Sequence, residues 1–251
     1  MGEQIEISVR QAMVGVFVLG LAVGFSAGVV STSTSLNLES GTSSESSLVE
    51  LEDTEYPYSG VEAGIASGNN ASNSTYAVEG EPYLGSGDIR MIAYEDFECP
   101  FCSRFHSSAF PKILDNHIRT GEATLYFKNY PLQRIHPWSA RAAAASECAL
   151  NQDAEAYWTF NRGFFDNQNE LKKAHKAGKF DESMKRWAEQ TGLDVKRFST
   201  CYDSDQEMEE VREDARQGGR LGTPTVFVED TKISGAQPYA AFRSVIEEAG
   251  Q

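Results

Sequence analysis

The sequence predicts an α/β fold, and three observations carry the prediction. Short apolar or β-branched runs at residues 89–94 and 123–130 read as strands, and residues 222–228 read as a turn and a β-branched strand. Between them, a block from about 137 to 220 holds Ala-rich and amphipathic stretches such as SARAAAASECAL and DESMKRWAEQ and no convincing strand. The tetrapeptide Cys99-Pro100-Phe101-Cys102 stands between the first of those strands and a helical stretch that runs to about Arg119. Two sulfurs on one strand–turn–helix are a chemical feature as well as a structural one.

Taken in order, residues 1–10 precede an uncharged run, residues 11–30 (QAMVGVFVLGLAVGFSAGVV). Twenty residues at helical rise span about 30 Å, the hydrocarbon thickness of a bilayer. No polar stripe interrupts the run, so it reads as one transmembrane helix rather than a buried soluble one. Arg10 precedes it and no Lys or Arg follows until Arg90. That bias places the N-terminus in the cytoplasm and the remainder outside, as a single-pass membrane protein. A cleaved signal peptide is the rival reading, weakened by Glu3 and Glu6 and by the lack of a small-residue cleavage motif. Gly20, Gly24 and Gly28 recur every fourth residue, a spacing that lets two helices approach in lipid and raises homodimerisation through this face.

Residues 31–87 are rich in Ser, Thr, Gly and Asn and carry nine acidic residues with no Lys or Arg. Such a composition offers little apolar surface to offset ordering, so it is expected to be a disordered tether with a reach on the order of 40 Å. Asn70 and Asn73 each begin an N-x-Ser/Thr triplet, a glycosylation candidate on the external side. From Asp88 to Gln251 the chain reads as a globular domain, in the order β-α-β, helical block, β-β-α, the last helix spanning about Pro238 to Ala249. The formal charge of −15 falls unevenly: the domain from 88 carries 21 basic and 26 acidic residues, and most of the remainder lies on the tether. An acidic chain with no clustered basic patch is a poor partner for nucleic acid.

The chemistry is expected at Cys99 and Cys102. A cysteine at a helix N-cap faces unpaired backbone N–H groups and the positive end of the helix dipole, which favour thiolate over thiol. Pro100 suits the first helical turn because no N–H bond is lost there. Cys102, three residues on, lies on nearly the same helical face and can close a disulfide with Cys99. A zinc knuckle is the competing use of C-x-x-C, with His106 and His136 as recruits. It lacks a second close pair of ligands, so no metal is expected.

Three segments in order, YEDFECPFCSRFH, FKNYPLQRIHPWSARAAAASECAL and GTPTVFV, resemble the DsbA-like thiol–disulfide oxidoreductases over about residues 82–250. The resemblance implies a thioredoxin fold with an inserted helical domain and an activity that needs no cofactor. It implies Cys99 as nucleophile, Cys102 as resolving thiol and Pro224 as a cis-proline beside them. Thr223 would offer backbone groups to an extended substrate strand. Phe101, an aromatic between the two cysteines, is by its own chemistry expected to be exposed and to form part of an apolar substrate patch. Cys148 and Cys201 would pair as a structural disulfide, as in some relatives; two buried free thiols are the alternative. The implied partners are exported proteins with thiols and a membrane reoxidant of DsbB or VKOR type.

Two departures from the family pattern stand out. Many relatives carry a buried acid six positions before the first Cys, where this chain has Ala93; Glu95, Lys128 or water would have to take its place. Lys128 by default is a surface lysine. The strongest family oxidants carry Pro-His between the cysteines, where this chain has Pro-Phe. Glu95, Asp96 and Glu98 beside the motif are expected to push the thiol pKa up and make a milder oxidant. A disulfide isomerase or reductase with the same residues, and a non-catalytic peptide-binding module, remain open at this level.

Overall fold

The computed structural model describes residues 48–67, 76–204 and 206–251. The span at 11–30 with Gly20, Gly24 and Gly28, and the sequons at Asn70 and Asn73, lie outside the described residues. Among the described residues no helix is long and apolar enough to cross a membrane.

A six-stranded mixed sheet organises the chain. Its strands are β1 (Ala63–Ile65), β2 (Pro82–Leu84), β3 (Ile89–Glu95), β4 (Ala123–Asn129), β5 (Thr225–Val228) and β6 (Thr231–Ser234), in spatial order β1-β2-β4-β3-β5-β6. β3 and β4 are parallel, with Ala93 opposite Phe127, and every other pairing is antiparallel. A parallel pair needs a crossover, supplied by α1 (Pro100–Ser108), α2 (Phe110–Ile113) and a π turn at Leu114–Ile118. The break between α1 and α2 falls at Ala109, because Pro111 has no N–H to give the carbonyl one turn back. Between β4 and β5 the chain inserts α3 (Ser139–Leu150), α4 (Ala154–Asp166), α5 (Gln168–Lys176), α6 (Phe180–Gln190), α7 (Val195–Tyr202) and α8 (Gln206–Gly218). α9 (Tyr239–Ala249) closes the order. This is the thioredoxin-like α/β arrangement with inserted helices.

β3 and β4 are buried along their whole length, so both faces of the sheet are covered. On one face Met91, Ala93, Leu125 and Phe127 join the main core with α1, α2 and the inserted helices. On the other, Ile92, Tyr94, Tyr126 and Phe227 form a second cluster with Val78 and Tyr130. Within the insertion α3 is the hub: Ala142 to Ala145 are all buried, and small side chains let neighbouring helices come close. Asp153 and Asp194 cap α4 and α7, each accepting a backbone N–H three residues on. Cys148 of α3 and Cys201 of α7 are joined as a disulfide with Cα atoms 5.8 Å apart.

Two expectations are corrected. Residues 48–67 and 76–87 are packed, not a solvated tether. Val49, Leu51, Tyr58 and Val61 are buried in the main core. The Val49 N–H donates to Ser183 Oγ at 3.1 Å, and Trp187 Nε1 donates to the Val49 carbonyl at 3.0 Å. Leu51 fills the space over Gly163, where a Cβ would stand 2.5 Å from Leu51 Cδ2. Tyr58 packs edge-on against Phe110 and Trp158, each 5.8 Å away between ring centres. The segment thus straps α6, α4 and α2 before becoming β1. Its apolar residues are few, but Val49, Leu51, Tyr58 and Val61 all enter the same core, and an average over residues 31–87 conceals them.

Lys128 is the second correction: it is fully buried, not a surface lysine. Its ammonium donates to Glu81 and, at 2.9 Å, to Asp214 of α8. Asp214 also accepts the Asn129 backbone N–H at 2.9 Å, and the Asn129 side chain donates to Glu147 at 2.6 Å. Burial, then the neighbouring Asp214, pushes the Glu81 carboxyl up to about 10 despite the nearby ammonium. A single cation thus ties β4, α8 and the residue that leads into β2 together.

Leu51→Ala is expected to lower unfolding free energy by about 2–4 kcal/mol, by leaving a cavity over Gly163, as read by urea denaturation. Lys128→Met removes the cation from the buried Asp214 carboxylate and the donor from the Glu81 carboxyl, and is expected to cost about 3–5 kcal/mol in the same assay. A loss under about 1 kcal/mol would mean that Asp214 finds another partner.

Candidate active site

β3 ends at Glu95, and four residues later the chain turns into α1. Asp96 shapes that turn: its carbonyl accepts the Cys99 N–H at 3.0 Å and its carboxylate accepts the Glu98 N–H at 2.8 Å. Cys99 is the N-cap of α1 in extended backbone geometry, and Pro100 opens the helix. Gln168 of α5 donates to the carbonyls of Phe97 and Cys99 at 2.8 and 3.0 Å, fixing the turn from the helical insertion.

The second wall comes from the loop before β5. The Thr223–Pro224 peptide bond is cis. Tyr130 anchors the approach to it, since its hydroxyl donates to the Gly219 carbonyl at 2.7 Å and accepts the Leu221 N–H at 3.2 Å. The Thr223 carbonyl lies 3.5 Å from Cys99 Sγ. Cys99 and Thr223, the residue before the cis-proline, therefore meet, although 124 residues separate them. Phe101 is 51 % exposed beside them, with the Arg104 guanidinium 5.0 Å from its ring centre. Cys148 and Cys201 lie elsewhere, as the disulfide of the helical insertion.

The two sulfurs are free and differ sharply. Cys99 keeps 4 % of its surface exposed and Cys102 none, so an incoming thiol reaches Cys99. The Cys99 pKa is lowered to about 6, first by a hydrogen bond from the Cys102 thiol. Desolvation opposes this, and Thr223 and the backbone N–H groups of Cys102 and Phe101 add to the lowering. Cys102 moves the other way, raised well above its usual value by burial, then by Cys99 and the Glu95 charge. One sulfur is prepared as a thiolate and the other held as a thiol.

The expectation that three acids would raise the nucleophile's pKa is not met, because all three face other partners. Glu95 accepts from His106 Nε2 at 3.1 Å on both oxygens. Asp96 receives His136 Nδ1 and the Leu132 N–H, each at 2.7 Å. Glu98 accepts the Trp138 N–H at 2.9 Å, at the start of α3. His106 and His136, which a zinc reading would recruit, thus each hold a carboxylate. The acidic trio Glu81, Glu210 and Asp214 has donor atoms close enough for a cation, but the Lys128 ammonium binds two of its three members.

The pairs Glu95–His106 and Asp96–His136 are functional neighbours that residue types alone do not single out. Cys102 and His106 are one helical turn apart, a spacing visible in the sequence. The contact between His106 and a strand residue eleven positions earlier is not.

Comparison with known proteins agrees with this geometry. The thioredoxin family model matches residues 79–248. The Disulfide bond formation protein D of Bacillus subtilis is 26% identical over 191 residues, 72% of this chain and 82% of that protein. The crystal structure of oxidised BdbD from Bacillus subtilis superimposes with a TM-score of 0.59 at 24% identity, over 69% of this chain and 95% of that one. Wolbachia pipientis alpha-DsbA1 gives 0.57 at 24% identity, over 72% and 92%. These structural likenesses show the fold.

The pKa of Cys99 carries a direct expectation. Its reaction with iodoacetamide rises with pH to a plateau whose midpoint lies near pH 6. The sign follows from linkage: a depressed thiol pKa stabilises the reduced fold at and above the unfolded value, about 8.5, and that stabilisation is lost as pH falls through about 6. A midpoint above pH 8 would contradict the geometry.

Proposed function

This chain belongs to the thioredoxin family, and we propose that it works as an oxidant of protein thiols on the outer side of a membrane. It is a thiol–disulfide oxidoreductase, like the disulfide bond formation proteins it resembles. The observation that carries the proposed direction is the contrast between its two sulfurs, a Cys99 pKa near 6 beside a buried Cys102 thiol. A stabilised thiolate favours the reduced enzyme, and therefore a disulfide that readily accepts electrons from substrate.

The cycle starts from the Cys99–Cys102 disulfide. A substrate thiolate attacks Cys99 Sγ, the bond to Cys102 breaks, and Cys102 takes the electron pair and a proton. A second substrate thiolate then attacks the substrate sulfur of the mixed disulfide and expels the Cys99 thiolate. The substrate leaves oxidised by two electrons and the enzyme reduced by two. The Thr223 backbone beside Cys99 supports the first step by aligning an extended peptide, and exposed Phe101 offers it an apolar contact.

The uncharged run at residues 11–30 supports a membrane anchor with the catalytic domain outside. A membrane reoxidant then regenerates the disulfide, and exported proteins with thiols are the substrates. Pro-Phe between the cysteines supports a potential below the roughly −120 mV of the strongest oxidants of this class.

Equilibration of Cys99–Cys102 with glutathione is expected to give a potential between about −120 and −230 mV. The oxidised full chain is expected to introduce disulfides into a reduced, unfolded protein, and Cys99→Ser to abolish this. A potential at or below about −270 mV would assign a reductase instead. Disulfide reshuffling by the reduced form without net oxidation would assign an isomerase.

A further inference from the structure

Among the described residues almost every arginine is engaged. Most pair with a carboxylate, and Arg197 donates to the Asn151 carbonyl at 2.8 Å. Arg104, Arg134 and Arg220 are the exceptions: all three are exposed, and none has a hydrogen bond or an ion pair. Lysines without an ion pair also occur, but they are scattered over α2, α5, α7 and β6. The three arginines instead lie on the three segments that converge on Cys99.

Arg104 is on α1, its guanidinium 5.0 Å from the ring centre of Phe101, which stands between the two cysteines. Arg134 belongs to a tight turn after β4. There the N–H groups of Ile135 and His136 both donate to the Leu132 carbonyl, at 2.9 and 3.0 Å. Asp96 fixes that turn by receiving the Leu132 N–H and His136 Nδ1, and its carbonyl accepts the Cys99 N–H. Arg220 lies between Gly219 and Leu221, whose backbone groups both bind the Tyr130 hydroxyl. It precedes Thr223 by three residues, and the Thr223 carbonyl is 3.5 Å from Cys99 Sγ. The backbone that presents Arg134 and Arg220 is thus pinned on both sides. Ile135, next to Arg134, is 69 % exposed, so an apolar group accompanies this charge as Phe101 accompanies Arg104.

The acids of this region are turned away from solvent or already paired. The Glu95 and Asp96 side chains have no exposed surface, and each is held by an imidazole. Glu98 accepts the Trp138 N–H, and Glu170 of α5 pairs with Lys173. The charged side chains that α1, residues 131–138 and residues 219–224 expose are therefore all positive, on a chain whose formal charge is −15.

We propose that Arg104, Arg134 and Arg220 form a guanidinium rim that selects thiol substrates whose cysteine is flanked by acidic residues. The proposal rests on the oxidoreductase reading above and names the substrate class of the same site. A guanidinium offers a planar pair of donors that matches a carboxylate, which a lysine does not. Exposed pairs of this kind add little affinity singly, but charges at a rim raise the rate of encounter and make it depend on salt. The reacting atoms are unchanged. The substrate's two thiols give up two electrons and two protons and become a disulfide, and the Cys99–Cys102 bond takes them up and becomes two thiols.

The test uses the oxidised full chain in an uncharged detergent. Its reduction is timed with peptides that carry two cysteines flanked by three Glu or by three Lys, and with mercaptoethanol. Each peptide rate is divided by that peptide's rate with hydroxyethyl disulfide, an uncharged reference that removes differences in thiol reactivity. The net charge of the chain alone favours the Lys peptide, so the sign of the preference separates the rim from the overall field. In about 0.01 M salt, where charges act over about 30 Å, the Glu peptide is expected to react about tenfold faster than the Lys peptide. In about 1 M salt, where that range is about 3 Å, the two are expected to agree within about twofold. Replacing Arg104, Arg134 and Arg220 together by Gln is expected to bring the low-salt ratio within about twofold of one or reverse it, and replacing them by Lys to keep part of it.

Equal rates in low salt, or a faster Lys peptide, overturn the proposal. So does a preference that survives either the triple Gln substitution or high salt. Should the triple variant lose its folded circular dichroism, Arg104→Gln, Arg134→Gln and Arg220→Gln are measured singly: a fall of about twofold or more in at least two supports the rim, and a fall in fewer overturns it. If neither peptide nor mercaptoethanol reduces the unsubstituted chain, the oxidoreductase reading itself fails.

Discussion

A negative charge on Cys99 beside a neutral Cys102 is the interaction on which the rest of the site depends. The Cys102 thiol donates toward the Cys99 sulfur, and helix N–H groups share the same charge. This works only while Cys102 keeps its proton, which burial ensures. The fold supplies that burial by setting α1 against the sheet and the helical insertion against α1. Each sulfur's state is thus a consequence of the other's surroundings.

The acidic residues around the motif show how the same constraint is protected. Asp96 and Glu98 are committed to the segment that leads from β4 into α3, through Leu132, His136 and Trp138. Their charges stabilise backbone N–H groups and an imidazole instead of opposing the thiolate. They also bind the active-site turn to the start of the insertion, so one set of contacts positions the nucleophile and joins the two halves of the domain. Gln168 does the same from α5.

Much of the central sheet was legible in the sequence because β3, β4 and β5 are dense apolar runs with no competing helical period. The two sulfurs were legible because C-P-x-C after a strand has few other uses. The strap at 48–67 was not, because Val49, Leu51, Tyr58 and Val61 are scattered among acids and their partners lie on α2, α4 and α6. The burial of Lys128 leaves no mark in the sequence for a related reason. A charge within a strand reads as solvent-facing unless its counter-ions are known, and Asp214 lies 86 residues away. The acids beside Cys99 are close to it along the chain, but the direction in which each points decides its effect. Residue type and spacing reveal chemistry that is local; pairing across the fold has no local signature.

The disulfide between Cys148 and Cys201 also bears on how the molecule comes into being. It joins two helices of the insertion that holds the active-site turn, yet neither cysteine belongs to the reacting pair. Closing it is a two-electron oxidation outside the reacting pair, so the finished insertion depends on an oxidising compartment and not on hydrogen bonds and packing alone.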